Sequence, residues 1–538
     1  MLSICKGPEE PLTDQTTFQA FAAAAERFPN NEALVSRPDG VRWTYRELLR
    51  EVEKTASGLI GLGLDVGDRV GIWSGSCAEW ILLQYGCARA GLVVVNVNPA
   101  YRTHDLGYVI RKSRMRAIFH HAADAFADYA KLLAETRSGQ DLPLAHVIQI
   151  GTDSWQQMIA RGVPLPEVPT DQHAVANIQF TSGTTGNPKG VLLTHYNLVN
   201  NALGMAHGVG YTERDRLCQT FPLYHCAGYT LTSMAALLSG ACLVLPSRMF
   251  QPAVALEAVQ AERVTALYGV PTMFIGELEH PAFSSFDLRS LRLAIIGGAP
   301  APVELLRRMA EQMPTAVVAD IYGQTEASPL LTMTRADDSL ELRTTTVGRA
   351  LANVEIKIVD AETGEIQPVG EQGELCARGY CVMKGYDEDP EATRRAIDEE
   401  GWLHTGDLAV MRPDGCFNIT GRAKDMIIRG GENIFPSEIE SLLHTHAKVA
   451  DAHVVGIPDE KLGEAVVAWI RVRSGESLSE EEVRAFCCGK IAHFKVPGHI
   501  RFVDSFPMTV SGKVQKFKIR GMEIEMRGLQ KIASARTA

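Results

Sequence analysis

Val70-Gly71-Ile72-Trp73, then Ala78 through Ala90, then Leu92-Val93-Val94-Val95-Asn96-Val97 stand in direct succession. The first and last runs are short, apolar and rich in branched side chains, and the middle one has helical length. This reads as strand, helix, strand, the unit that builds parallel sheets covered by helices. Upstream, Thr44-Tyr45-Arg46-Glu47 forms a capping box that opens a helix running to the glycines at 61 and 63. Downstream the same alternation recurs through 117–120, 127–135 and 147–150, and again through 266–268, 293–296, 303–313 and 316–319. In such sheets ligands belong at the carboxyl ends of the strands. From about Val347 the texture changes to short alternating runs among Gly, Pro and Asp, a small β-rich subdomain. After Gly421 the chain restarts as a compact α+β unit.

The fold expected is therefore α/β. A large N-terminal domain, residues 1–423, holds parallel sheets flanked by helices plus the β-rich subdomain. A small mobile α+β C-terminal domain covers 424–538. The polar stretch Arg422-Ala423-Lys424-Asp425 is the hinge candidate.

A chain of 538 residues exceeds one hydrophobic core, which agrees with this division. Apolar content of 46% and charge of 22% are those of an ordinary soluble protein, and a net charge of −11 argues against nucleic acid as the main partner. The 11 cysteines are scattered without a C-x-x-C pair, which suggests reduced thiols and a cytoplasmic protein. Met1–Gln15 lacks the look of a signal peptide, and no apolar run is long enough to span a membrane.

Thr181-Ser182-Gly183-Thr184-Thr185-Gly186-Asn187-Pro188-Lys189-Gly190-Val191 lies between two apolar runs. Glycines let backbone N–H groups turn toward an anion, hydroxyls add donors, and Lys189 adds a full charge. A Walker-type loop is excluded by count: Pro188 stands where the second glycine belongs, and Gly190 where the hydroxyl belongs. Proline also disfavours a helical Asn187. The loop is thus expected to hang between strands and to hold a polyphosphate.

Further stretches follow in order: Pro222-Leu223-Tyr224-His225; Tyr322-Gly323-Gln324-Thr325-Glu326; Trp402-Leu403-His404-Thr405-Gly406-Asp407; Gly421-Arg422-Ala423-Lys424-Asp425; and Pro507-Met508-Thr509-Val510-Ser511-Gly512-Lys513. Together they resemble the adenylate-forming superfamily of acyl-CoA synthetases, adenylation domains and luciferases, over essentially the whole chain. Gly430-Gly431-Glu432-Asn433 and Ser511-Gly512-Lys513-Val514 are most similar to the fatty acyl-CoA synthetase branch.

The resemblance implies ATP, Mg²⁺ and coenzyme A as the molecules handled, with a small carboxylic acid as substrate. The 181–190 loop (Thr181, Ser182, Gly183, Thr184, Thr185, Gly186, Lys189) would wrap the β,γ-phosphates. Thr325 would contact the α-phosphate, and Glu326, with Thr184, would hold Mg²⁺. Gly298, Ala299, Pro300 and Tyr322 would enclose the adenine, with Asp320, Gly323 and Gln324 beside them. Asp407 would accept the ribose hydroxyls, assisted by Arg422. Lys513 would be the catalytic lysine of adenylation, and His225 would orient the acid. Lys424 would be the pivot, a departure from the aspartate of many relatives that the fatty-acid branch shares. Gly430 and Gly431 would line the pantetheine tunnel.

Gly323 stands where acetate-specific relatives carry tryptophan, so an acid longer than acetate is expected, with a medium-chain fatty acid favoured. A ligase for an aryl, branched or dicarboxylic acid, an enzyme loading a carrier protein, and a non-catalytic nucleotide-binding protein remain alternatives, and a homodimer stays open. The remaining histidines, such as His120, His121, His444 and His446, read as structural, without thiol or acidic companions.

Overall fold

The structure is a computed structural model that describes residues 1–124, 127–139, 141–167, 169–181, 188–313, 316–430, 432–459, 461–509, 512–530 and 532. The βαβ unit forms as expected: strand Arg69–Trp73, helix Ala78–Ala90 and strand Val93–Asn96, the two strands parallel with Val70 opposite Val94. Helix Ala78–Ala90 is buried on almost every face and ends on Gly91 at φ 72°, a left-handed cap that glycine adopts without strain. Thr44 caps helix Tyr45–Gly61, accepting from the Glu47 amide while the Glu47 side chain accepts from the Thr44 amide.

Two large sheets carry most of the chain. The seven-stranded sheet runs Gly385–Tyr386, Lys189–Thr194, Val175–Thr181, Val93–Asn96, Arg69–Trp73, Ala117–His120, His146–Gln149. The nine-stranded sheet centres on the parallel strands Ala266–Gly269, Leu293–Gly297 and Val317–Gly323. Both sheets are mixed and not wholly parallel: Val175–Thr181 pairs antiparallel with Lys189–Thr194, and Val317–Gly323 pairs antiparallel with Leu330–Met333. In both places a short connection turns the chain straight back, and a short turn can join only antiparallel neighbours.

A third sheet, entirely antiparallel, contains Val354–Val359, Gln372–Gly379, Leu403–Met411 and Phe417–Arg422, matching the β-rich texture of the sequence. The fourth is built after residue 426 around the long hairpin Val449–Asp459 and Gly463–Val472, with its own apolar core of Ile427, Ile434, Ile439, Val454, Val466 and Ile470. All 11 cysteines are free thiols. Among the described residues no helix is long and apolar enough to cross a membrane.

Candidate active site

Strands Val175–Thr181 and Lys189–Thr194, which flank the glycine-rich segment in the sequence, pair antiparallel, as a segment between two strands requires. Ser182, Gly183, Thr184, Thr185 and Gly186 lie outside the described residues, as does Gly431. Thr181 and Lys189 face each other as the last rung of the hairpin.

The other motifs converge on one end of the nine-stranded sheet. Strand Leu293–Gly297 ends at Gly298, whose φ of 80° exposes the backbone at the strand terminus. Ala299 and Pro300 follow, half-buried and exposed. The adjacent strand Val317–Gly323 carries Asp320, whose burial pushes its carboxyl pKa well above the ordinary value, and Tyr322. Gln324, Thr325 and Glu326 follow directly, half-buried.

Tyr322 donates its hydroxyl to Asp407 Oδ2 at 2.8 Å, and Arg422 Nε meets Asp407 Oδ1 at 2.7 Å. Asp407 and Arg422 are also cross-strand partners in the antiparallel sheet. Asp407 is buried at 4% exposure, and both its carboxylate oxygens are held in place. Its turn is braced from behind. Glu374 Oε1 accepts the Gly406 amide at 2.9 Å, Glu374 Oε2 lies 2.9 Å from His404 Nδ1, and Thr405 Oγ1 donates to the Leu375 carbonyl.

Lys513 arrives from the C-terminal unit. Gly512, at φ 81°, makes the turn, and Thr272 Oγ1 of the large sheet's side donates to the Gly512 carbonyl at 2.8 Å. Thr509 and Lys513 close the turn on each other through the Thr509 amide and the Lys513 amide. The Lys513 side chain lies over Gly298: a Cβ there would stand 3.3 Å from Lys513 Cε. Burial and the neighbouring Arg422 lower its pKa to about 8, opposed by Asp407 and Glu326. The half-buried His225 stacks edge-on to Phe221 at 4.9 Å. Burial, then Lys513, drives its pKa well below the ordinary value, so the ring is neutral and its Nδ1 accepts the Ala227 amide.

Two sequence expectations need correction. Gly323 is required by packing: a Cβ there would lie 1.8 Å from the Pro329 carbonyl oxygen, where the strand crosses Leu330. The glycine therefore admits a backbone crossing and is no direct measure of pocket depth. His121 does have companions, since its ring and the ligand atoms of Cys77 and Glu79 lie within 4.8 Å of one another, and His444 Nε2 lies 3.5 Å from Asp451 Oδ1. Arg248 Nη1 sits 2.6 Å from His121 Nε2, however, and burial together with that cation lowers the ring's pKa to about 4. A guanidinium on the ring nitrogen makes this a poor place for a metal ion. Lys424 follows Arg422 in a short 3₁₀ turn, outside both neighbouring sheets. Gly430 turns the chain between Ile427–Arg429 and Glu432–Ile434, donating to the Leu462 carbonyl; none of its described contacts reaches Asp407, Tyr322 or Lys513.

Tyr386 was not singled out in the sequence. Its hydroxyl donates to Glu326 Oε1 at 3.0 Å, and Lys189 Nζ lies 4.9 Å from its ring centre. Only its place in Lys384-Gly385-Tyr386-Asp387, opposite the phosphate-loop strand, could have signalled it, and that pairing is long-range.

The site thus presents a hydroxyl-bearing turn with one carboxylate, a second carboxylate anchored by Tyr322 and Arg422, and a lowered-pKa ammonium brought in by the terminal unit. The AMP-binding enzyme family model matches residues 21–387, and the AMP-binding enzyme C-terminal domain model matches 438–513. The chain belongs to the AMP-binding enzyme family. This AMP-binding enzyme is 41% identical to the medium-chain acyl-CoA ligase ACSF2, mitochondrial, of Bos taurus, over 95% of the present chain and 88% of that protein. Its structure is similar to the anthranilate CoA ligase AuaEII in complex with anthranoyl-AMP, with a TM-score of 0.87 at 26% identity over 95% and 98% of the two chains. It also resembles MatB from Rhodopseudomonas palustris at 30% identity over 94% and 99% of the chains, with a TM-score of 0.84 to the ATP-bound form and 0.75 to the apo form. Glu326 and Thr325 offer the hard oxygen donors that a divalent cation accompanying ATP requires, so the residues present fit such an ion.

Proposed function

We propose that this enzyme is an ATP- and Mg²⁺-dependent acyl-CoA ligase that activates a medium-chain fatty acid as acyl-AMP and then passes the acyl group to coenzyme A. One observation carries the reading: Lys513, supplied by the C-terminal unit, lies over Gly298 and faces Arg422, Asp407 and Glu326.

In the first step a carboxylate oxygen attacks the α-phosphorus, the bond to the β-phosphate oxygen breaks, and pyrophosphate leaves with the electron pair. Two anions must approach, and negative charge builds on the α-phosphoryl oxygens. The Lys513 ammonium, partly desolvated, neutralises that charge, with Thr325 donating beside it. The neutral ring of His225 lines the approach of the acid without trapping its carboxylate as an ion pair. Asp407 holds the ribose hydroxyls, and its two anchors, Tyr322 and Arg422, keep the carboxylate from rotating. Adenine lies between the Gly298–Pro300 backbone and Tyr322, close to Asp320, Gly323 and Gln324. The glycine-rich loop and Lys189 hold the β,γ-phosphates. Glu326, with Thr184, would hold Mg²⁺, which supplies charge neutralisation to the polyphosphate when bound.

In the second step the sulfur of coenzyme A attacks the acyl carbon as its thiol proton passes to solvent, the bond from that carbon to the phosphate oxygen breaks, and AMP leaves with the electron pair. Residues 424–538 form the mobile unit in this reading, with residues 1–423 as the fixed one and Lys424 as the pivot. Rotation would withdraw Lys513 and bring Gly430 and Gly431 toward the acyl carbon. Buried Leu231, Val270, Met273 and Phe274 provide an apolar neighbourhood suited to an alkyl chain.

The test is pyrophosphate release and thioester formation with a series of straight-chain acids from acetate to palmitate, plus an aryl and a dicarboxylic acid. Each methylene buried in the pocket raises kcat/KM about fourfold, from about 0.8 kcal/mol per CH₂. The optimum is expected at medium length. Pyrophosphate release that does not depend on the acid, or adenylate formation without any thioester on adding coenzyme A, would overturn the assignment.

A further inference from the structure

We infer that Tyr386 is a positioning residue that couples the Glu326 carboxylate to the phosphate-loop lysine. The inference rests on the reading of Glu326 as the cation-binding acid. Tyr386 occupies the joint between the two segments that must meet at the polyphosphate. Its hydroxyl donates to Glu326 Oε1 at 3.0 Å, while its ring lies beneath Lys189 Nζ at 4.9 Å, a cation–π distance.

The backbone around Tyr386 is stitched to both partners. The Met383 amide donates to the Glu326 carbonyl at 2.9 Å. Tyr386 pairs with Val191, and the Asp387 amide donates to the Gly190 carbonyl at 2.7 Å, one residue from Lys189. The Tyr386 amide donates to Thr393 Oγ1 at 2.9 Å. Asp387 is fixed in turn by Arg69, whose two terminal nitrogens reach its oxygens at 2.8 and 2.9 Å. A phenol sitting in such a rigid frame can set the orientation of whatever it bonds.

The chemistry favours a phenol over any charged donor. A tyrosine hydroxyl, with an ordinary pKa of about 10, is protonated at neutral pH and donates to the carboxylate oxygen 3.0 Å away. It takes up Oε1 and leaves Oε2 for a cation, without adding positive charge that would compete with that cation. A lysine or arginine at the same place would neutralise the carboxylate. The ring face meanwhile steadies the Lys189 ammonium without neutralising it, leaving its full charge for phosphate. One side chain thus orients an anion and a cation while pairing neither.

The test uses the full-length enzyme with Mn²⁺ as probe. Enzyme-bound Mn²⁺ is measured by electron paramagnetic resonance in the presence of ATP, for wild type, Tyr386→Phe, Tyr386→Leu and Glu326→Gln, with a melting curve for each. Tyr386→Phe is expected to weaken Mn²⁺ binding about fivefold, the equivalent of one net hydrogen bond, with melting temperature and KM for the acid unchanged. Tyr386→Leu should also raise the KM for ATP, because it removes the ring from Lys189. Mn²⁺ binding equal to wild type in Tyr386→Phe, with a loss in Glu326→Gln, overturns the role of Tyr386 and leaves the acid's role intact. Undiminished binding in Glu326→Gln overturns both.

Discussion

Replacing Lys513 by alanine should separate the two half-reactions. Two unit charges about 4 Å apart in a medium of effective dielectric about 20 attract by about 4 kcal/mol. That figure suits a side chain that is half-buried, over Gly298 and beside Arg422. At about 1.4 kcal/mol per tenfold, it corresponds to about three orders of magnitude in the adenylation rate. Asp407 and Glu326 also face this ammonium and share its field, so a loss of two to three orders is expected. The assay is acid-dependent exchange of labelled pyrophosphate into ATP, run beside thioester formation from supplied acyl-AMP and coenzyme A. Exchange should collapse while thioester formation keeps most of its rate. Equal losses in both assays, or undiminished exchange, would refute the role of the terminal lysine.

The pH profile gives an independent check on the same group. The Lys513 pKa is lowered from 10.5 to about 8, so its charge is present below about pH 8 and lost above it. The kcat/KM for adenylation, which reports the free enzyme, should therefore fall above about pH 8, and Lys513→Arg should remove that alkaline limb. Gly298→Ala should impair adenylation more than thioester formation, since its φ of 80° disfavours a side chain and the added Cβ would press on Lys513; stopped-flow measurement of acyl-AMP formation checks it. Tyr322→Phe removes one of the two anchors of Asp407, and a loss of about 1 kcal/mol should raise the KM for ATP about fivefold with little change in the KM for the acid.

Local signals were legible in the sequence. The capping box at Thr44 and Glu47 formed as read, and the run from Val70 to Val97 became strand, helix, strand. The proline before Lys189 correctly argued for a hairpin and against a helix mouth. Contacts between segments that are not neighbours in the sequence were not legible. Gly385 pairs with Leu192, and only that pairing puts the Tyr386 hydroxyl on Glu326. Cys376 lies opposite His404, and only that register makes Glu374 a brace for the Asp407 turn. Gly323 was misread for a related reason. Its side-chain direction is blocked by Pro329, six positions further on, and that constraint exists only after the strand doubles back. Periodicity reports which face a residue presents, and it does not report what comes to meet it.

The last rung between Leu403–Met411 and Phe417–Arg422 is the Asp407–Arg422 pair, and Lys424 lies two residues beyond it. In the proposed cycle a swivel starting there would leave that rung untouched, so the sugar would stay moored while the far lobe turned. The nucleotide would then ride through the whole cycle on the stationary half, serving first as the acceptor of the acid and then as its leaving group.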